Sequence, residues 1–347
     1  QKYKPEDMSL GDWRRENINK MVASVYNMIQ KEKPYVTFGV SPFGIWTTNN
    51  DVAQKEGIVL PQGITGGNMY EEIYCDPVAW LKEGTVDYIS PQLYWTTTAV
   101  GQDYDVLCPW WSELAFRFKK HYSSHSISGI QSPSYTRSVM EDIVKIGEEK
   151  VSLSTLSAME RGIWEQNNQM NTVQTRASFG PEEIGLQIER NRLSTLDGTP
   201  GSVFYSTKYI YNVKGVMPYL KNYCFMEKAL VPAIDWKNAY SVSSVSSITL
   251  NERILQWNSS NENVRYTIYA VPKDKVTDLD AFNSSRYLLG VSYTNSFEIP
   301  ESIDLNAVTC AVAVFDRYGN EYTPILIDKE QVEGVSANLI YPVSGDQ

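Results

Sequence analysis

Val36-Thr-Phe-Gly-Val-Ser-Pro-Phe-Gly-Ile-Trp46 is the stretch whose reading decides the fold. Val36, Phe38 and Val40 alternate with Thr37 and Gly39, the period of a buried strand, and Pro34 ends whatever helix precedes it. The strand cannot run on unchanged. Pro42 has no amide hydrogen to donate and Gly44 is a turn residue. A core strand therefore stops and presents Ser41, Phe43 and Trp46 at its tip. In an α/β barrel, ligands bind at the carboxyl ends of the strands.

Working outward, Ser9-Leu-Gly-Asp12 reads as a capping box that opens a helix. Ile18, Val22, Val25 and Ile29 then recur at helical spacing up to Lys33-Pro34. After the strand comes a Gly- and Asn-rich loop, Thr47 to Asn68, long enough to suggest function. Helices are predicted over 76–83, 109–120, 137–149 and 181–190. Strands are predicted over 86–95, 127–131 and 201–207. Strand and helix alternate, which implies a parallel sheet. From Ser246 onward only strands are legible, ending with Val308–Phe315, and turn residues separate them. That pattern reads as an all-β sandwich with Trp257 and Tyr266 in its core. The expected domains are residues 1–236 and 237–347.

Composition removes several function classes. The net charge is −10, which disfavours a nucleic-acid surface. No apolar run approaches the roughly 20 residues that span a bilayer. The four cysteines, Cys75, Cys108, Cys224 and Cys310, show no metal-site or disulfide spacing. The two histidines, His121 and His125, flank a Ser-rich turn and read as loop residues, so neither a metal nor histidine-based catalysis is expected. No cofactor is implied. Aromatic residues make up 12% of the chain, a surplus that suits core packing first and sugar-binding surfaces second.

Phe38-Gly-Val-Ser-Pro-Phe-Gly-Ile-Trp46, Trp80-Leu-Lys-Glu-Gly-Thr-Val-Asp-Tyr-Ile-Ser-Pro-Gln-Leu-Tyr-Trp95, Trp110-Trp111 and the earlier Asp12-Trp-Arg-Arg-Glu-Asn17 occur in that family's order and resemble the glycosyl-hydrolase-like 10 family. The likeness covers about residues 9–236. The tail resembles a fibronectin type III module through Leu255-Gln-Trp257, Tyr266-Thr-Ile-Tyr-Ala270 and Ala311-Val-Ala-Val-Phe-Asp-Arg-Tyr-Gly319. The resemblance implies an α/β chain of the (β/α)8 TIM-barrel type that hydrolyses glycans of the bacterial envelope, peptidoglycan strands included, in an extracytoplasmic setting. Trp46 is followed by Thr47 where the family usually has Arg, so a cationic substrate contact is lost.

Only four strands are counted where a barrel needs eight, and the family places the first four upstream of Asp12. The expectation is a second half-barrel, completed by an upstream segment or by a second chain, and inactive alone. Glycoside hydrolysis uses paired carboxyl groups. None stands at the predicted strand tips, where the third offers Gln131, Ser132 and Tyr135 and the fourth Tyr205, Ser206 and Lys208. Asp103 and Asp105 in the loop after the second strand, and Asp12 at the first helix, are the catalytic candidates this chain offers; capping is the alternative role for each. Asp87 begins its strand and should face the opposite, stability end. Trp46, Tyr94 and Trp95 are expected to stack on sugar rings, with Gln92, Ser41 and Arg14 as hydrogen-bonding partners. The alternative function is a non-catalytic glycan-binding or scaffolding protein.

Overall fold

The structure is a computed structural model, and it describes residues 3–97, 99–118, 121–122, 181–196, 201–212, 215–234, 236–237, 241–276, 281–282 and 284–327. Two compact units divide between Met226 and Glu227.

Unit 1 opens with helix α1 (Leu10–Glu32). Ser9 caps it by accepting from the Asp12 amide at 3.0 Å, as the capping box predicts. Val22 is its fully buried residue, Ile18 packs on the core, and Asn19 accepts from the Trp80 indole at 2.8 Å. Strand β1 (Gly39–Val40) is shorter than the alternation of 36–40 predicts. Val36 lies outside the ladder and is exposed. Helices α2 (Asn50–Lys55) and α3 (Met69–Glu72) follow, capped by the side chains of Asn49 and Asn68. They lie in and just after the segment read as a loop. Helix α4 (Pro77–Glu83) is capped by Asp76 and ends at Gly84, whose φ of 68° is one a residue with a Cβ adopts only at a cost. Strand β2 (Tyr88–Ile89) leads to helix α5 (Tyr104–Arg117).

Helix α5 starts at the Asp103 cap, five residues before the Pro109 start predicted, and keeps Pro109 within it. Strand β3 (His121–Tyr122) then pairs with β2. His121 is thus in a strand, not the loop expected; its backbone faces Tyr88 in register. The predicted strand 127–131, the helix 137–149 and His125 lie outside the described residues.

The order β1-β2-β3 is parallel throughout, as strand–helix alternation demands. The described strands of unit 1 form this open three-stranded sheet and no closed barrel. Helix α6 (Pro181–Ser194) packs against α5. No strand is assigned over 201–207. Val203 and Tyr205 are exposed while Phe204 meets Phe225 edge to face, so the alternation there belongs to an extended connection with one wet side. Helix α7 (Thr207–Asn212) begins where that strand was to end; α8 (Val216–Tyr219) and a π-helical turn, Leu220–Cys224, close the unit.

Unit 2 holds two antiparallel sheets, ordered β4-β5-β8 and β10-β9-β6-β7. They comprise β4 (Ser246–Asn251), β5 (Ile254–Asn258), β6 (Arg265–Pro272), β7 (Leu288–Ser292), β8 (Ser296–Glu298), β9 (Val308–Phe315) and β10 (Ile325–Leu326). β10 was not legible in the sequence. Leu255 and Trp257 of β5, Tyr266 and Ile268 of β6, and Val312 and Val314 of β9 share one core, with Trp257 edge-on to Tyr266 at 5.1 Å. The outer face of β5 is wet: Ile254, Gln256 and Asn258 are exposed. The outer face of β6 and β9 is dry, because Leu230, Ala281 and Phe282 cover Tyr269, Val271 and Ala311. The segment carrying Leu230 is tied down further on, where Ile234 N–H donates to Tyr318 O at 2.8 Å.

Candidate functional site

The carboxyl ends of β1 and β2 are sewn together beyond the ladder. There Ser90 N–H donates to Val40 O at 3.0 Å and Gln92 N–H to Pro42 O at 2.8 Å, while at the amino ends Asp87 N–H donates to Phe38 O at 2.6 Å. Pro42 uses only its carbonyl here, so its missing N–H does no harm. The pairing runs on to a parallel bridge between Phe43 and Gln92, and the Gln92 amide donates to Ser41 O at 2.9 Å. Gly44 then lets Trp95 approach. A Cβ at that position would sit 2.6 Å from Trp95 Cζ3 and 2.7 Å from Gln92 O. The opposite end of the sheet is built by Asp87, buried and accepting from the Phe38 amide at 2.8 Å.

Ser41, Gln92, Tyr94 and Trp95 therefore gather at one end of the sheet. Phe43, expected at the strand tip though not as a sugar contact, stands among them with 45% of its surface exposed. Tyr94 stacks on Tyr205 with ring centroids 6.4 Å apart, and Tyr205 is 62% exposed. Trp95 is half-buried against Gly44 and the core.

Trp46 corrects the sugar-stacking expectation. Only 1% of it is exposed; its indole donates to Asp76 at 3.1 Å and its ring meets Tyr70 edge to face. A ring with an N–H is stable inside only where that donor finds a partner, and Asp76 supplies it. The Asp76 carboxyl is held above its usual range by burial, against the opposing pull of the Ala79 amide and the Trp46 indole. Thr47 is buried too, its hydroxyl on Glu71 at 2.8 Å. Trp111 is wholly buried, donating to Gly44 O at 2.8 Å, while Trp110 donates to Val59 O.

Arg14 takes its contacts from Tyr74, donating to the phenol oxygen at 2.5 Å and lying 4.6 Å over the ring. Its neighbour Arg15 lies 3.9 Å over Tyr70, donates to Tyr70 O, and pairs with Asp12 at 2.6 Å. Asp12 also accepts from Ser9. The Ser9 hydroxyl, then Arg15, hold its carboxyl below the usual range. Asp103 caps α5, accepting from the Asp105 amide at 2.8 Å. Asp105 is paired with Arg190 at 3.2 Å. Each of the three candidate acids has a structural partner, and Asp12 is held as the ionised base rather than as a proton donor.

A carboxyl the sequence did not flag lies beside the β2 loop. Glu183, in the first turn of α6, has 1% of its surface exposed. It accepts from the Thr97 amide at 2.7 Å, the Thr97 hydroxyl at 3.1 Å and the Gln187 side chain at 2.9 Å. Burial pushes its pKa up to about 7 in spite of these donors. In sequence, Pro181-Glu182-Glu183 reads as acids at a helix amino terminus, which the helix dipole already explains. Nothing local announces that the carboxyl is inside. Among the described residues no cluster of three or more His, Cys, Asp or Glu side chains could hold a metal ion, and no helix is long and apolar enough to cross a membrane.

Residues 2–137 match the glycosyl hydrolase-like 10 family. The chain is 29% identical over 229 residues to the glycosyl hydrolase YngK of Bacillus subtilis, covering 66% of this chain and 36% of that protein. It is 37% identical over 113 residues to the glycosyl hydrolase DigH of Escherichia coli K12, covering 33% of this chain and 24% of that protein. The matched residues thus span about a third or less of these curated relatives. The strand tips that gather Ser41, Gln92, Tyr94 and Trp95 lie inside residues 2–137, the segment that is similar to the glycosyl hydrolase-like 10 family.

Proposed function

We propose that the chain belongs to a glycoside hydrolase acting on bacterial envelope glycans, peptidoglycan strands included, and that unit 1 supplies a sugar-binding surface. The observation that carries this reading is exposed Phe43 beside Gln92 at the carboxyl ends of two parallel strands, with half-buried Tyr94 next along the chain and exposed Tyr205 stacked on it. Exposed ring surface beside an amide suits a pyranose, which is apolar on its faces and polar at its edge. The site of action is extracytoplasmic in this reading. Unit 2 is a fibronectin type III-like module: three strands face four, in the order β4-β5-β8 against β10-β9-β6-β7, with Trp257 between them. The relatives named as glycosyl hydrolases support the hydrolase class. In this reading the remaining strands of the (β/α)8 barrel, and the pair of carboxyl groups that hydrolysis uses, come from outside the described residues.

A non-catalytic glycan-binding role is the second reading, favoured by one observation: Asp12, Asp103 and Asp105 are all committed to caps or ion pairs. Titration calorimetry with soluble peptidoglycan strands and with chitooligosaccharide, beside an assay for new reducing ends, separates the two. Binding that Tyr94→Ala and Tyr205→Ala weaken supports the sugar surface. Reducing-end release assigns hydrolysis, and binding without release in a chain carrying the whole barrel assigns the second reading. Absence of binding to either glycan rejects both.

A further inference from the structure

One face of α6 is polar and yet buried. Glu183, Gln187 and Arg190 follow one another at spacings of four and three, so they share a stripe along the helix. The stripe bonds to the segment from Trp95 to Asp105, which runs from the loop after β2 into the first turn of α5. Glu183 takes the amide and hydroxyl of Thr97. The Gln187 side-chain amide donates to Trp95 O at 3.1 Å, and the Gln187 backbone carbonyl accepts from the Tyr104 hydroxyl at 3.2 Å. Arg190 holds Asp105 at 3.2 Å through both carboxylate oxygens. Trp95 and Thr97 immediately follow Tyr94, the ring that stacks on Tyr205.

Such a stripe is a poor way to gain stability, since a buried polar side chain recovers little beyond its own desolvation. It is a good way to fix geometry, because each group has only one arrangement that satisfies it. We infer that Glu183 and Gln187 are positioning residues: they hold the loop after β2 so that Tyr94 and Trp95 present a fixed surface to the glycan. The inference rests on the glycan reading above for its ligand, and on the hydrogen bonds alone for the staple.

Burial favours the neutral acid at Glu183, and the neutral acid fits these partners. One oxygen accepts from the Thr97 amide and from Gln187; the other accepts from the Thr97 hydroxyl in the ionised form, and in the neutral acid the same contact turns round, its O–H donating to Thr97 Oγ1. A glutamine reproduces that pattern atom for atom, carbonyl for carbonyl and amide N–H for hydroxyl. A leucine fills the volume and supplies none of it.

The test compares the full chain with Glu183→Gln, Glu183→Leu and, lest the leucine variant fail to fold, Thr97→Val. Hydrogen exchange at the Thr97 amide reads the staple. Calorimetry with soluble peptidoglycan strands reads the surface. Glu183→Leu is expected to lower Thr97 protection, and to weaken glycan binding by about tenfold, the effect of releasing one or two ordered side chains. Glu183→Gln is expected to keep both. Thr97→Val, which loses the hydroxyl contact but not the amide, should fall between them. Unchanged protection in Glu183→Leu overturns the staple. Lost protection with unchanged affinity overturns the positioning role. A parent chain that binds no glycan, yet loses Thr97 protection in Glu183→Leu, rejects the glycan reading and leaves the staple standing.

Discussion

Gly44→Ala should damage unit 1 through a single methyl group. The new Cβ would lie 2.6 Å from Trp95 Cζ3, 2.7 Å from Gln92 O and 2.9 Å from Leu93 Cδ2. Carbon atoms pack at about 3.5–4.0 Å, so the ring contact is short by about 1 Å. The indole is half-buried against the core and the Gln92 oxygen is backbone, so neither yields easily. Relief must come from spreading the tips of β1 and β2. The Gln92 amide bond to Pro42 O, now 2.8 Å, would then pass the limit of a hydrogen bond. Losing it costs about 1 kcal/mol, and overpacking a filled site costs about 1–3 kcal/mol. Against this, alanine restricts the unfolded chain and returns about 0.4–1 kcal/mol. The net expectation is a loss of about 2–3 kcal/mol, or roughly 1 M in urea midpoint for m near 2–3 kcal/mol/M. Gly63→Ala is the control. Its φ is +74° but nothing lies within 4 Å, so only the left-handed backbone penalty, about 1 kcal/mol, applies. Urea titration followed by tryptophan fluorescence measures both. A Gly44→Ala midpoint equal to or above that of Gly63→Ala would refute the close approach of the two strand tips.

Trp46→Phe keeps one aromatic ring but removes the donor to Asp76 and part of the buried indole volume, leaving a buried carboxyl short of a partner; the expected loss is about 1–3 kcal/mol, read as a urea midpoint shift that Asp76→Asn in the same background should not enlarge. Glu183 makes stability depend on pH. Its folded pKa of about 7 lies above the usual 4.5, so between those values the folded chain keeps a proton that the unfolded chain has lost. Its contribution, about 3 kcal/mol, is complete below pH 4.5 and gone once the pH has risen through 7; Glu183→Gln should flatten urea midpoints across that window. Tyr205→Ala, at an exposed ring, should leave the thermal midpoint unchanged and weaken glycan binding by about tenfold in calorimetry.

What was legible in the sequence is what neighbouring residues decide. The Ser9 cap, the Asp76 cap and the Gly84 stop all act within one helical turn, and those helices stand where they were predicted. The alternation of Leu255 and Trp257 with exposed neighbours marks β5 for the same reason. The β1 tip was legible as a break, but not as two strands laced together, because the lacing comes from Ser90 and Gln92, about fifty residues away. Helix α5 begins before the Pro109 start that the sequence predicts because Asp103 caps it and Pro109 is accommodated within it. Trp46 was placed on the surface because nothing near it reveals that Asp76 waits thirty residues on. Glu183 was missed for the same reason, since its partner Thr97 lies 86 positions earlier. Fold signals are local in this chain, and the chemistry of its site is set by pairings that are not.

The strap that carries Leu230 has a practical bearing on how unit 2 is excised. A fragment starting at Ser246, where the strands begin, would discard Leu230 and Ile234 and wet the apolar sheet around Tyr269 and Val271. Exposed apolar sheet invites self-association. A cut after Met226 keeps that face clothed, so the longer fragment should stay monodisperse where the shorter one clumps.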